Sequence, residues 1–353
     1  MVCNSDSRYK GKPVWKAIDK NSPVFRHDFR TGFPANLNFR EKDKMKQTIF
    51  LTFLAITLTA CGGKTVNNTA PSSSSAPANS ANKTAAQASP SIDPNMQATF
   101  PFKDFPAVET TAKSGEVVLV PSYNWLQEAN VKELDKVSMI WYNQTLASPG
   151  ADMSEVKFMS DTRKVPNAYI VAIPPGGKAK KGDILLTWWQ SGSGMNRAIV
   201  TDDANPSEPV VRYLDIDYDN PAKAKDGTTT IGQMDEKLKP DTFVKINAPF
   251  DPGTMVAVQD SAGDQKPAQV IRVAGDKVFV STFAGGIAVF DKSKCTPFPL
   301  VSSAKVGDKV KAVWVNSLKD GTVTKVDGSI GRVFIKFDVD GKEKAVSFGE
   351  VMK

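Results

Sequence analysis

From residue 96 onward the chain alternates apolar and polar side chains in short runs broken by glycine, the pattern of half-buried strands joined by hairpins. Four runs begin alike, with a glycine, a small or acidic residue and an alternating strand. They are Gly115-Glu116-Val117-Val118-Leu119-Val120, Gly182-Asp183-Ile184-Leu185-Leu186-Thr187-Trp188, Gly253-Thr254-Met255-Val256-Ala257-Val258 and Gly307-Asp308-Lys309-Val310-Lys311-Ala312-Val313-Trp314. The glycines recur at a roughly regular interval, somewhat shorter before the last. In the last three units a second strand begins at a similar offset from the glycine, at Arg197–Val200, Pro267–Ile271 and Gly321–Val326. A third follows at Val211–Leu214, Val278–Val280 and Val333–Phe337. Matching offsets predict one small β-barrel used several times. The first unit departs from the pattern. Ser122–Lys136 reads as a short amphipathic helix, with Ser122 or Asn124 as N-cap, and strands resume at Val137–Tyr142, Glu155–Met159 and Tyr169–Ile173. Residues 100–175 are therefore expected to form a decorated barrel or a separate α+β element packed on the second unit.

The final unit, Val306 to Lys353, is the clearest. Lys309–Trp314, Thr322–Val326, Arg332–Asp338 and Glu343–Phe348 alternate well, and Val339-Asp340-Gly341-Lys342 supplies a tight hairpin turn. This unit, with a glycine-aspartate start, a Gly-Thr-Val second strand and an aromatic-ended third strand, resembles an SH3-like barrel of the Tudor or Agenet type. The resemblance extends over residues 180–353. It implies a mostly β fold of tandem small barrels, with one short helix in the first unit, and says little about ligand because barrels of this size host many functions. Expected units are 96–178, 179–248, 249–303 and 304–353.

The beginning of the chain has a different pattern. Met45-Lys46-Gln47-Thr48 leads into an uncharged apolar segment, Ile49 to Ala60, and then Cys61. Such a segment is too short for a permanent membrane span and reads as a secretory signal over residues 45–60. Leu58-Thr59-Ala60-Cys61 resembles the lipobox of bacterial lipoproteins. The resemblance implies cleavage after Ala60, diacylglycerol on the Cys61 thiol and acylation of its new amino group, so that membrane lipid is the first partner. Gly62 and Gly63, with no Asp beside Cys61, point to the outer membrane; inner-membrane retention or a Gram-positive surface are the alternatives. Residues 64–95 are Ser, Ala, Asn, Thr and Pro with almost no large apolar side chain, a disordered tether (61–95 with the cysteine) whose ends would lie on the order of 30 Å apart. Residues 1–44 sit badly before such a signal, and Met45 is expected to be the initiator.

Charge follows the same division. Residues 1–44 hold ten basic and five acidic residues, the only histidine, His27, and Cys3. From residue 61 onward basic and acidic residues nearly balance, so the excess behind the whole-chain charge of +7 lies mostly before the folded part, and no nucleic-acid partner is expected. Without His27 the mature chain has no histidine for a Ser–His–Asp triad or a histidine zinc site, and Cys295, its one remaining internal thiol, has no base.

Two constellations remain. Asp215-Ile216-Asp217-Tyr218-Asp219-Asn220, with Asp226 at the twelfth position, resembles the start of a calcium loop, although Asn220 replaces the turn glycine and the flanks read as strands. The alternative is an acidic solvent face on a strand from Val210 to Tyr218. Trp188 and Trp189 must point to opposite faces of a sheet, so one is expected in the core and the other free to join Trp141, Tyr142 and Trp314 in an aromatic platform for a peptide, a sugar or a cation. The first function class is thus a non-enzymatic envelope lipoprotein binding an envelope protein or cell-wall glycan, with no cofactor. The second is a metal- or carboxylate-dependent hydrolase using Asp215, Asp217 and Asp219.

Overall fold

Each of the four repeated glycines opens its unit with the same turn. Gly115, Gly182, Gly253 and Gly307 have φ of +86°, +86°, +90° and +90°, a region that a residue without Cβ enters at little steric cost. The N–H of the next residue reaches back three positions, from Glu116 to Lys113, Asp183 to Lys180, Thr254 to Asp251 and Asp308 to Lys305, at 2.9–3.0 Å. The glycine N–H then donates across to Leu146, Val200, Val270 or Val323 at 2.8–2.9 Å. The acidic residue has its own reason: the carboxylates of Glu116, Asp183 and Asp308 accept from the N–H groups of Lys113, Lys180 and Lys305 at 2.9, 2.9 and 2.7 Å.

The computed structural model describes Asp93 and residues 95–159, 161–221 and 231–353. The signal, Ala60, Cys61, the tether up to residue 92 and Asp226 lie outside them. The first barrel holds β1 (Val117–Pro121), β2 (Trp141–Ser148), β3 (Met153–Phe158), β4 (Asp161–Pro166) and β5 (Val171–Ile173). The second holds β6 (Ile184–Trp188), β7 (Met195–Asp202), β8 (Val210–Tyr213), β9 (Glu236–Lys237) and β10 (Val244–Lys245). The third holds β11 (Met255–Gln259), β12 (Gln265–Ala274), β13 (Lys277–Ser281), β14 (Ile287–Asp291) and β15 (Cys295–Pro297). The fourth holds β16 (Lys309–Trp314), β17 (Ser317–Asp327), β18 (Arg332–Phe337), β19 (Glu343–Ser347) and β20 (Val351–Met352).

All four sheets have one topology, an antiparallel meander of four strands whose fifth returns to pair with the first. Each second strand slips register once, at Leu146/Ser148, Val200/Asp202, Val270/Arg272 and Val323/Lys325. Such a bulge bends the long strand so that both halves of a curled sheet share it. The fold is therefore mostly β, four tandem SH3-like barrels.

The first unit is a decorated barrel. Helix α1 (Tyr123–Val131) fills the connection between β1 and β2, and a single 3₁₀ turn, Leu134–Lys136, completes the region expected to be helical. Ser122 precedes α1, but its hydroxyl makes no capping bond. The helix instead holds the incoming chain: Gln127 Nε2 donates to the Met96 carbonyl and Asn130 Nδ2 to that of Gln97, both at 2.8 Å. Among the described residues no helix is long and apolar enough to cross a membrane.

Packing explains why so many strands are apolar on both faces. On β6, Leu185 points into the second barrel's own core while Ile184, Leu186 and Trp188 join a cluster that runs through all four barrels. On β13, Val278 and Val280 fill the third barrel while Phe279 leaves it. Phe279 meets Phe100, Tyr169 and Trp141 with ring centroids 5.0, 5.6 and 6.3 Å away, joining the third barrel to the first and to the segment before it.

Candidate binding cleft

β8 ends at Tyr213, so the expected strand to Tyr218 is corrected: residues 214–221 are a loop, with no regular strand to carry an acidic face. Its position is fixed by two buried arginines, each 2% exposed. Arg197, on β7, donates from its backbone N–H to Asp215 Oδ2 at 2.6 Å and from Nε and Nη2 to Oδ1 at 2.9 and 2.6 Å. Its Nη1 crosses to the fourth barrel and donates to the Phe348 carbonyl at 3.0 Å. Arg332, at the start of β18, returns the exchange with Nη2 to the carbonyls of Tyr213 and Ile216 at 2.9 and 3.1 Å, and with Nη1 to the Ser347 hydroxyl. Burial opposes the charge on Arg197, but Asp215 and Glu350 outweigh it and hold that guanidinium above its ordinary pKa. For Arg332 burial wins over the pull of the same carboxylates and lowers it.

These braces floor a cavity of about 410 Å³ between the loop and the fourth barrel, walled by Asp217, Tyr218, Asp219, Trp314, Lys344 and Glu350. A recess of about 240 Å³ continues toward the third barrel and shares Asp215, Phe283, Val315 and Glu350 with it. Burial, with help from Asp215, pushes the Glu350 carboxyl above the usual carboxylate range against the pull of Arg197 and Arg332. Phe283 and Val315 are 55% and 63% exposed. Val315 has φ +56°, and Ala284, beside Phe283, has +58°. Left-handed backbone at a β-branched residue is strained, so these turns hold apolar side chains outward at a conformational cost.

The three loop aspartates diverge. Asp215 pairs with Arg197, Asp217 Oδ1 accepts from the N–H groups of Asp219 and Asn220 at 2.9 and 3.1 Å, and Asp219 Oδ2 accepts from that of Ala345 at 3.1 Å. Among the described residues no group of three or more His, Cys, Asp or Glu is placed to hold a metal ion.

The expected aromatic platform is not assembled, and neither Trp188 nor Trp189 is left over for it. Trp188 is buried in the shared core, while Trp189 packs on the second barrel's own core with its ring against Gly192. Both faces of that strand are covered, which alternation alone cannot reveal. Trp141 is buried, its Nε1 donating to the Tyr169 carbonyl at 2.9 Å, and Tyr142 is stacked on Trp125 of α1 at 5.8 Å. Of the five predicted aromatics, Trp314 alone lines the cleft. Cys295 is buried, and burial, aided by Asp291, pushes its thiol up to about 11, away from a reactive thiolate.

Sequence reasoning missed Arg197, Phe283, Val315, Arg332, Lys344 and Glu350. The arginines carried a signal, since a guanidinium inside an apolar strand needs a buried partner. The others come from separate barrels and share no local pattern.

No family model matches the chain, and no curated protein matches it. Among solved structures, the chain is similar to AGD34 of Arabidopsis thaliana AGDP1, with 23% identity over 29% of this chain and 80% of that one and a TM-score of 0.19. It is similar to the tandem Agenet domain 3-4 of ADCP1, with 23% identity over 29% and 78% of the two chains and a TM-score of 0.18. The four MBT repeats of Drosophila melanogaster Sfmbt, solved with the peptide RHR(me)KVLR, match 72% of this chain and 95% of that one at 9% identity and a TM-score of 0.14.

Proposed function

We propose that the folded part is a non-enzymatic binding module that holds a segment of another envelope protein in the cleft between the second, third and fourth barrels. In this reading the signal is cleaved after Ala60, Cys61 carries the lipid, and the tether attaches the barrels to the membrane, the outer membrane by the glycines at 62 and 63. The observation that supports binding is the pair Phe283 and Val315, apolar and more than half exposed, presented from left-handed turns into a recess rimmed by carboxylates. Exposed apolar groups in a concave, polar-rimmed site are the usual anchors of a protein contact. The hydrolase alternative gains no such support, because Asp215 is tied to Arg197 while Asp217 and Asp219 are tied to backbone N–H groups.

The test is an in-cell crosslinking pull-down with the full lipoprotein tagged at Lys353, beside its Phe283→Ala variant and a control carrying the signal and tether only. A protein enriched over the control and lost with Phe283→Ala is the expected outcome. Nothing above the control, or a partner equally retained by Phe283→Ala, would overturn the reading. Enrichment of peptidoglycan without a protein would replace the protein partner by a glycan.

A further inference from the structure

Strand β19 ends its sheet, paired with β18 on one side only. The Lys342 carbonyl accepts from Phe337 and the Phe348 N–H donates to Gly331, so the even-numbered positions face the β18 side. By alternation, Glu343, Ala345 and Ser347 turn their N–H and C=O groups away from it. Along this edge carboxylates stand where a neighbouring strand would offer carbonyls. The Ser347 N–H donates to Glu350 Oε2 at 3.2 Å, and Ser347 is 1% exposed, so that end of the edge is closed. The Ala345 N–H donates to Asp219 Oδ2 at 3.1 Å, and Asp219 reaches it from the second barrel's loop, across the cleft. Asp219 and Glu343 are exposed and Ala345 partly so. Among the described residues Asp219 makes no ion pair, and its own N–H is held by Asp217. The Asp219 side chain can therefore turn away while its backbone stays in place. Ala345 then opens onto the cavity of about 410 Å³ that runs beside it.

We propose that β19 receives the bound segment as an added strand, exchanging backbone hydrogen bonds at Ala345 and continuing past Glu343, and that the Asp219 carboxylate is a plug which the segment displaces. This rests on the cleft being the binding site. The occupant follows from what the edge offers: N–H and C=O groups two residues apart are the complement of an extended peptide backbone. An open edge donor invites such pairing, and a side chain seated on it blocks any strand that does not compete. A plug lowers apparent affinity by the fraction of time it leaves the edge free, so removing one ordinary hydrogen bond tightens the added strand by about two- to tenfold.

The full lipoprotein in detergent, labelled with ¹⁵N-alanine and with the Ala345 amide signal identified by its loss in Ala345→Gly, is titrated with N-acetyl-Thr-Val-Thr-Val-Thr amide. This probe is uncharged and favours the extended state. The same peptide N-methylated at every residue keeps the side chains and loses the donors. The first should shift the Ala345 signal saturably and the second should not. Asp219→Ala should tighten the titration by that factor, and Asp219→Asn, whose amide oxygen still accepts, should stay at the wild-type value. The proposal fails if the Ala345 signal does not move, if the methylated peptide moves it equally, or if Asp219→Ala titrates like the wild type. In the pull-down, Ala345→Pro removes the outward donor and leaves the β18 side of the strand intact, so it should lose the partner as Phe283→Ala does. A partner lost with Phe283→Ala but retained by Ala345→Pro would keep the cleft and remove the added strand. A saturable Ala345 response without any cellular partner would do the reverse.

Discussion

Val315 shows how a single residue trades stability for presentation. It begins the two-residue connection between β16 and β17, closed by the Trp314–Ser317 pair, at φ +56° where Gly, Asn or Asp is usual. A β-branched residue there stores about 1–3 kcal/mol of strain, more than the ~1 kcal/mol of chain entropy that glycine would cost. Val315→Gly is therefore expected to raise folding stability by about 1 kcal/mol and to weaken partner capture, since the exposed side chain is lost. A urea midpoint that falls instead would mean that the valine makes stabilising contacts its exposure does not reveal.

At the scale of the element, the glycine-led turn is the unit that made the repeat legible. Its φ and, in three of the four units, the carboxylate bond to the turn are local, so each leaves a mark in sequence at a fixed offset. What was not legible needed neighbours. Asp215-Ile216-Asp217-Tyr218-Asp219 alternates like a strand, yet buried Arg197 and Arg332 bind its carboxylate and carbonyls and hold it as a loop. Trp188 and Trp189 do face opposite ways, but the second barrel lies on one side and its neighbours on the other. The turn also allows a comparison of local with tertiary cost. A Cβ at Gly307 would meet nothing within 4 Å, whereas one at Gly253 would lie 2.6 Å from Leu186 Cδ1 of the second barrel. Gly307→Ala should cost about 1–2 kcal/mol for its backbone conformation alone. Gly253→Ala should cost roughly 1–3 kcal/mol beyond that, for overpacking between barrels. Equal losses in urea denaturation would show that Leu186 gives way freely.

For the whole molecule the question is whether four barrels behave as four domains. Each has the same five-strand order, but one buried cluster passes through them all, and among the described residues the first and fourth barrels have no separate core of their own. The arginines reinforce this. Arg197 and Arg332 tie the second barrel to the fourth, and Arg272, half-buried on β12, donates to the Ile170 carbonyl of the first. The cleft exists only where three barrels meet, which is why its residues are scattered through the sequence and why its shape depends on cooperative folding. Unfolding should accordingly be a single transition. Arg197→Ala removes the buried partner of the partly exposed Asp215 carboxylate and leaves the Phe348 carbonyl without its donor, a loss of about 2–3 kcal/mol. Far-ultraviolet circular dichroism reads the sheets, tryptophan fluorescence reads chiefly the first, second and fourth barrels, and alkylation of buried Cys295 at mildly alkaline pH reads the third. All three should move together to lower urea in the variant. If Cys295 became reactive while dichroism was still native, the third barrel would be opening alone, and the shared core would be holding the cleft less firmly than its burial implies.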